Sequence, residues 1–214
     1  MSKAKKASRE YTMNHPELSL RQKMNRIYKD ISGFEIPKSE EQIIKKSQGS
    51  PVYGEITLTS LDKLFDFLKL KASDVLFDLG SGVGKVVIHT ASVTPVKKAV
   101  GVELSKARHD DALAAYQNAL EYFPQIKGRC QFLCGDLMEA DLKQATVIYT
   151  CSTAFSIKFM NQIARMLTKY THPFRLITLQ ELPVERAFRR TDTIKLDMSW
   201  VRQTPVHIYE RNLD

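Results

Sequence analysis

The sequence predicts an α/β protein: a seven-stranded, mostly parallel, doubly wound sheet with an antiparallel hairpin on one edge and a small helical extension at the N-terminus. Three observations predict it. Short apolar runs that suit buried strands alternate with amphipathic segments of helical period. A glycine-rich turn, Asp78-Leu-Gly80-Ser-Gly82-Val-Gly84, follows the first of those runs. Near the C-terminus two strand-like runs are separated by only a short turn.

Residues 1–10 are basic and polar and are expected to be disordered. Over residues 17–31, Leu20, Met24, Ile27 and Ile31 form one apolar stripe on a basic helix, and Gly33 and Pro37 punctuate its end. A second short helix is expected over residues 40–47. Gly49, Ser50 and Pro51 mark a break, which divides a basic helical extension (1–50) from the main domain (51–214). Leu58, Leu61, Leu64, Phe65 and Leu68 predict a helix over residues 57–70. Strands follow at 75–80, 98–103, 129–136, 145–150 and 174–180, with helices after the glycine turn and over 106–123 and 155–170. The hairpin is expected from residues 193–200 and 206–211, turning at Gln203–Pro205.

The chain has 214 residues, 43% of them hydrophobic, which suits one α/β domain with a full core and a short extension. No apolar run is long enough to span a bilayer, and the basic start is not followed by a signal-type apolar segment. A cytoplasmic or nuclear protein without membrane contact is therefore expected (for a bacterial chain, also an effector acting in a host nucleus). Cys130 and Cys134 have no nearby His or Cys to complete a tetrahedral set, so reduced thiols and no metal are expected. The net charge is +8, and residues 1–50 hold 11 Lys/Arg against 6 Asp/Glu. That bias suits an acidic partner, including nucleic acid.

The glycine turn sits where a strand passes into a helix, the context in which backbone amides can approach a ligand closely. A dinucleotide site wants Gly-x-Gly-x-x-Gly; here the third glycine comes one position early, and an acid precedes the first. Asp-x-Gly-x-Gly-x-Gly is the form found in methyltransferases. Asp78 would take the ammonium of a methionine moiety. Glu103, ending the second strand, suits two ribose hydroxyls. Asp136 after the third strand suits an adenine amino group, with Leu137 against the ring. Asp136 can equally be a helix cap.

In order along the chain, VYGEITLTSLDKLFDFLKL, DLGSGVGKVV, GVE and GDL resemble the non-SET histone lysine methyltransferases of the disruptor-of-telomeric-silencing type. Tyr53-Gly54-Glu55 is the discriminating triplet, and MSWVRQTPVHIY resembles that family's edge hairpin. The resemblance implies a Rossmann-like methyltransferase fold and S-adenosylmethionine as cofactor. It implies cofactor contacts from Tyr53, Gly54, Glu55, Asp78, Gly80 and Ser81, and from Gly82, Gly84, Lys85, Glu103, Asp136 and Leu137. It also implies a narrow channel for a substrate lysine, walled by Tyr53, Cys151, Ser152, Thr153, Phe155, Trp200 and Tyr209, in a monomer acting on a histone or nucleosome.

The chain departs from the family pattern after the fourth strand. Cys151-Ser152-Thr153-Ala154-Phe155-Ser156 stands for the family's Asn-Asn-Phe-Ala-Phe-Gly, Lys85 stands for a Gln, and Ile208-Tyr209 stands for paired tyrosines. The long nucleosome-engaging extensions of the family's eukaryotic members have no counterpart in these 214 residues, so the basic segment 1–50 is expected either to replace them or to serve as a helical lid. Two other readings remain: a methyltransferase acting on a non-histone protein lysine, and a cofactor-binding protein without transfer. An amino-directed nucleic-acid methyltransferase would carry Asp/Asn-Pro-Pro-Tyr/Phe after strand four, and Cys-Ser-Thr-Ala-Phe cannot hold a base amine that way.

Overall fold

The computed structural model describes residues 18–182 and 187–211; the disorder expected at 1–10 and the first residue of the predicted N-terminal helix lie outside them. Seven strands form one sheet in the order β3-β2-β1-β4-β5-β7-β6. They are β1 (Val75–Leu79), β2 (Lys98–Glu103), β3 (Cys130–Cys134), β4 (Val147–Thr150), β5 (Arg175–Thr178), β6 (Phe188–Leu196) and β7 (Thr204–Arg211). β1 to β5 are parallel, and β7 runs antiparallel to both β5 and β6. Every residue of β1 and β4 is buried, as expected of strands covered on both faces.

The helices are α1 (Leu20–Ile27), α2 (Lys38–Lys46), α3 (Leu58–Leu68), α4 (Lys85–Val93), α5 (Lys106–Tyr122) and α6 (Ile157–Leu167). Alternate strand residues serve opposite faces. Leu76, Val147, Ile177 and Ile208 pack under α3, while Phe77, Ile148, Leu176 and Tyr209 pack under α6. Helices α4 and α5 cover β2 and β3 through Ile88, Ala115 and Ala119. α3, α5 and α6 start on the side-chain caps of Thr57, Ser105 and Ser156. α4 instead starts on Gly84, in left-handed conformation and without a side-chain cap. No helix among the described residues is long and apolar enough to cross a membrane.

Two sequence expectations shift. β6 begins at Phe188, five residues before the predicted start, and ends at Leu196. Its first half, FRRTD, is mostly exposed polar sequence of the sheet edge, so no apolar run announces it. Met198-Ser199-Trp200 leaves the strand: Met198 makes an isolated antiparallel bridge with Ile56, and the Ser199 N–H donates to the Glu55 carbonyl. The turn is closed by the Gln203 N–H donating to Asp197 Oδ1. The hairpin tip is thereby diverted to hold the loop that follows Tyr53.

The N-terminal helix is part of the packed structure. Met24 and Ile27 are 2% and 0% exposed in the core beside α4 and α5, and Asn118 Nδ2 donates to the Ile27 carbonyl. Ile27→Ala should therefore cost about 2–5 kcal/mol in chemical denaturation of the full chain. A loss below about 0.5 kcal/mol would mean that α1 is a surface attachment.

Candidate active site

A cavity of about 290 Å³ opens over the C-terminal ends of β1 to β4. In an open α/β sheet this is where connections diverge and ligands bind. The glycine turn forms its floor. Gly80, Gly82 and Gly84 have φ of 84°, 53° and 77°, a region open to glycine but strained for other residues. The Gly80 and Ser81 N–H groups donate to the Val102 carbonyl, and Glu103 Oε2 accepts the Gly82 N–H at 2.8 Å. Glu103 Oε1 accepts from the Ser105 N–H at 2.8 Å. The carboxylate that ends β2 thus fixes both the glycine turn and the start of α5.

Above the floor lies Tyr53. A Cβ at Gly82 would come within 2.5 Å of the Tyr53 ring, and a Cβ at Gly33 within 2.4 Å. The ring therefore lies against two glycines and meets Phe34 edge-on at 5.2 Å between centroids. The Arg108 guanidinium stands 4.8 Å from the ring centre and donates to the Gly33 and Pro51 carbonyls, each at 2.8 Å. Glu40 Oε2 accepts from the Ser105 hydroxyl at 2.6 Å. Residues 33–55 are thus strapped across the cavity, and Ile44, Ser47 and Gly49 line it.

The Tyr53 hydroxyl donates to Glu55 Oε1 at 2.5 Å, and Lys85 Nζ pairs with Glu55 Oε2. Burial, then the Glu55 charge and hydrogen bond, hold the Tyr53 hydroxyl far above its usual ionisation range. Lys85 also stands 5.1 Å from the centre of the Tyr28 ring, an aromatic that follows α1.

The cavity gathers Tyr53, Gly54, Glu55, Asp78, Gly80 and Ser81, together with Gly82, Lys85, Glu103, Asp136 and Leu137. Gly84 is not at its wall: a Cβ there would come within 2.5 Å of the Phe132 ring, so this glycine seats α4 against β3. Asp136 Oδ1 accepts from the Met138 N–H at 2.8 Å, which makes it a cap as well as a wall residue. Of the proposed channel residues, Cys151, Thr153, Phe155 and Trp200 line the cavity, and the indole of Trp200 lies on Gly54. Phe155 is held edge-on by Phe159 at 5.0 Å.

Ser152 and Tyr209 stand outside it. The Ser152 hydroxyl is fully buried and accepts the N–H groups of Leu179 and Gln180 at 3.1 and 3.0 Å, so it ties the loop after β4 to the end of β5. The Tyr209 ring packs in the core under α6, and its hydroxyl accepts from the Leu182 N–H at 3.0 Å. Among the wall residues that the sequence did not single out are Arg108 and Tyr149. Arg108 sits in a polar helix start, KARHDD, where an arginine reads as solvated; Tyr149 offered one signal, a hydroxyl within the apolar run VIYT.

The model of the histone methylation protein DOT1 family matches residues 35–209, from the strap through to β7. The chain belongs to the DOT1 family. A Caenorhabditis elegans histone-lysine N-methyltransferase specific for histone H3 lysine 79 is 34% identical over 161 residues, covering 70% of this chain and 17% of that protein. A protein-lysine N-methyltransferase of Saccharolobus islandicus is 28% identical, over 69% of this chain and 85% of that one. Among solved structures, the Synechocystis magnesium protoporphyrin IX methyltransferase aligns with TM-score 0.57 at 15% identity, over 97% of this chain and all of that one. A Salinibacter ruber RNA methyltransferase bound to S-adenosyl-L-homocysteine aligns with TM-score 0.54 at 22% identity, covering 72% and 90%. These two structures share the fold.

In this DOT1-family chain the cavity concentrates buried acid. Asp78 is 2% exposed, and burial, then repulsion from Glu103, raises its pKa from 3.8 to about 8. Burial and the Asp78 charge also push the Cys151 thiol up to about 12, so it stays protonated at neutral pH. Between pH 4 and 8 the folded chain therefore retains a proton at Asp78 that the unfolded chain has lost. The associated stability is complete below pH 4 and drains away as the pH rises towards 8. Asp78→Asn should accordingly raise the melting temperature of the ligand-free protein more at pH 8 than at pH 5, by about 2–4 °C per kcal/mol recovered. A gain equal at both pH values would contradict a protonated Asp78.

Proposed function

We propose that this protein is an S-adenosylmethionine-dependent protein-lysine N-methyltransferase acting on a histone lysine. The observation that carries the reading is the joining of Tyr53 and Glu55, the discriminating pair of the family triplet, to the glycine turn and to Lys85 in one cavity. The C. elegans relative, named as an H3 lysine-79 enzyme, supports a histone substrate.

The cavity fits the cofactor. A Cβ at Gly80 would find nothing nearer than 3.9 Å, so the glycine leaves open space above the turn. Asp78 in β1, Glu103 at the end of β2 and Asp136 just beyond β3 supply acceptors for an ammonium, a ribose diol and an adenine amine. These residues would hold S-adenosylmethionine, which would supply a methyl group on a sulfonium whose departing form is a neutral thioether.

The protein's own residues have two tasks at the acceptor end. The first is to deliver an uncharged amine. Phe155, Trp200 and the neutral Cys151 thiol offer an apolar channel wall, and desolvation lowers a lysine pKa by up to ~3–5 units. The second is alignment, which supplies up to ~7–11 kcal/mol of barrier reduction without a strong base. The strap and the loop carrying Trp200 do the aligning, because each is hydrogen-bonded to a neighbour rather than free.

A second reading, another protein lysine as acceptor, is supported by the archaeal protein-lysine relative, whose length the alignment nearly spans. In contrast, the chain spans only 17% of the C. elegans relative. The basic residues 1–50 suit contact with nucleosomal DNA, or with another acidic surface.

The test is methyl transfer from isotope-labelled cofactor to nucleosomes, free histones and cell lysate, with mass spectrometry of the labelled peptides. Nε-methyllysine on a histone is the expected product. Label on a non-histone lysine would favour the second reading. No label on any protein, with cofactor binding retained, would overturn both.

A further inference from the structure

Among the described residues, three buried side-chain polar atoms lack a hydrogen-bond partner: His89 Nδ1, Thr204 Oγ1 and the Tyr149 hydroxyl oxygen. Of their three residues, Tyr149 lines the cavity. Tyr149 is 2% exposed, so water cannot satisfy its hydroxyl from bulk. An unmade hydrogen bond in such a place is costly, and a structure keeps one where a ligand completes it.

The sheet fixes which part of a ligand Tyr149 would meet. Asp136, Glu103, Asp78 and Tyr149 belong to β3 or its end, β2, β1 and β4, which are neighbours in that order. Adjacent strands lie ~4.8 Å apart, so these four positions form a ruler across the cavity. Adenine, ribose and amino acid follow one another along S-adenosylmethionine in the same sense. Asp78 and Tyr149 are direct partners in the parallel register of β1 and β4, so their side chains leave the same face of the sheet. Tyr149 therefore lies one strand beyond the acid that suits the methionine ammonium.

The amino-acid end of the cofactor is a zwitterion, with an ammonium that needs acceptors and a carboxylate that needs donors. Asp78 is an acceptor. A tyrosine hydroxyl that keeps its proton is a donor: burial first, then Cys151 and Asp78, keep the Tyr149 proton in place, and its contact with the Cys151 sulfur is with a weak acceptor that a carboxylate oxygen would replace. Glu55 already engages the nearby cation, Lys85.

We propose that the Tyr149 hydroxyl donates a hydrogen bond to the α-carboxylate of bound S-adenosylmethionine, making β4 the fourth strand to hold the cofactor. The inference rests on the cofactor half of the proposed function and is independent of which lysine is methylated. It gives the site a neutral donor at a position where a phenylalanine would pack equally well.

Tyr149→Phe tests it by titration calorimetry with two ligands. S-adenosylhomocysteine carries the amino-acid end, and 5′-methylthioadenosine lacks it. The substitution should weaken S-adenosylhomocysteine about tenfold and leave 5′-methylthioadenosine within about twofold. The ligand-free variant should melt no lower than the unsubstituted protein, since it loses an unpaired buried hydroxyl. Unchanged S-adenosylhomocysteine affinity would overturn the inference and leave the hydroxyl facing the acceptor amine. Equal weakening of both ligands, or a lower melting temperature without ligand, would overturn it in favour of a packing role. If the unsubstituted protein binds neither ligand, the cofactor reading itself fails.

Discussion

The site depends on the seating of Tyr53 between Gly33 and Gly82. At both glycines a methyl group would fall within about 2.5 Å of the ring, so neither side of the seat has room to give. This single contact joins elements far apart in sequence: the segment after α1, the turn after β1, and the Tyr53-Gly54-Glu55 loop itself. Arg108 closes the arrangement from α5 by bonding the carbonyls of Gly33 and Pro51 while facing the same ring. Without the strap, the strand ends would offer an open ledge. With it, they bound a cavity whose walls come from both ends of the described chain.

Electrostatics gives the cavity its direction. Acids are placed in or just after three neighbouring strands, and Glu103 uses both oxygens on backbone N–H groups while keeping further lone pairs free. Asp78 has no such relief from burial and holds its proton instead. A bound ammonium would reverse that balance, because an adjacent positive charge favours the ionised carboxylate. The free site thus holds a buried acid at the point where we propose that the cofactor ammonium binds. Glu55 differs: it is matched inside the protein by Lys85 and the Tyr53 hydroxyl, which sets the pose of the loop over the cavity.

Much of the fold was legible in the sequence because buried parallel strands are written as short apolar runs, and the glycine turn marks where the first strand ends. β1, β2, α4 and the start of α5 fall where the pattern puts them. The start of β6 was not legible, since an exposed edge strand has no apolar face to declare itself. For the site, the residues that come together from Tyr53 to Leu137 were readable as a motif series, but their supports were not. Arg108 looks like a solvated helix residue until Gly33 and Pro51 arrive from elsewhere in the chain. Ser152 sits next to two cavity residues, yet its hydroxyl turns to β5; neighbouring positions in a chain need not share a face. Tyr149 carries its message only once its hydroxyl is seen to be buried and unpaired.

Gly33 is the most direct place to test the account. It does not line the cavity, so a methyl group there can reach a ligand only by displacing Tyr53. The measurement is the calorimetric affinity of Gly33→Ala for S-adenosylhomocysteine, with circular dichroism to confirm an unchanged fold. Overpacking costs about 1–3 kcal/mol, so affinity should fall about tenfold in a protein that still folds. An affinity within about twofold of the unsubstituted protein would contradict a site held together by the seating of Tyr53.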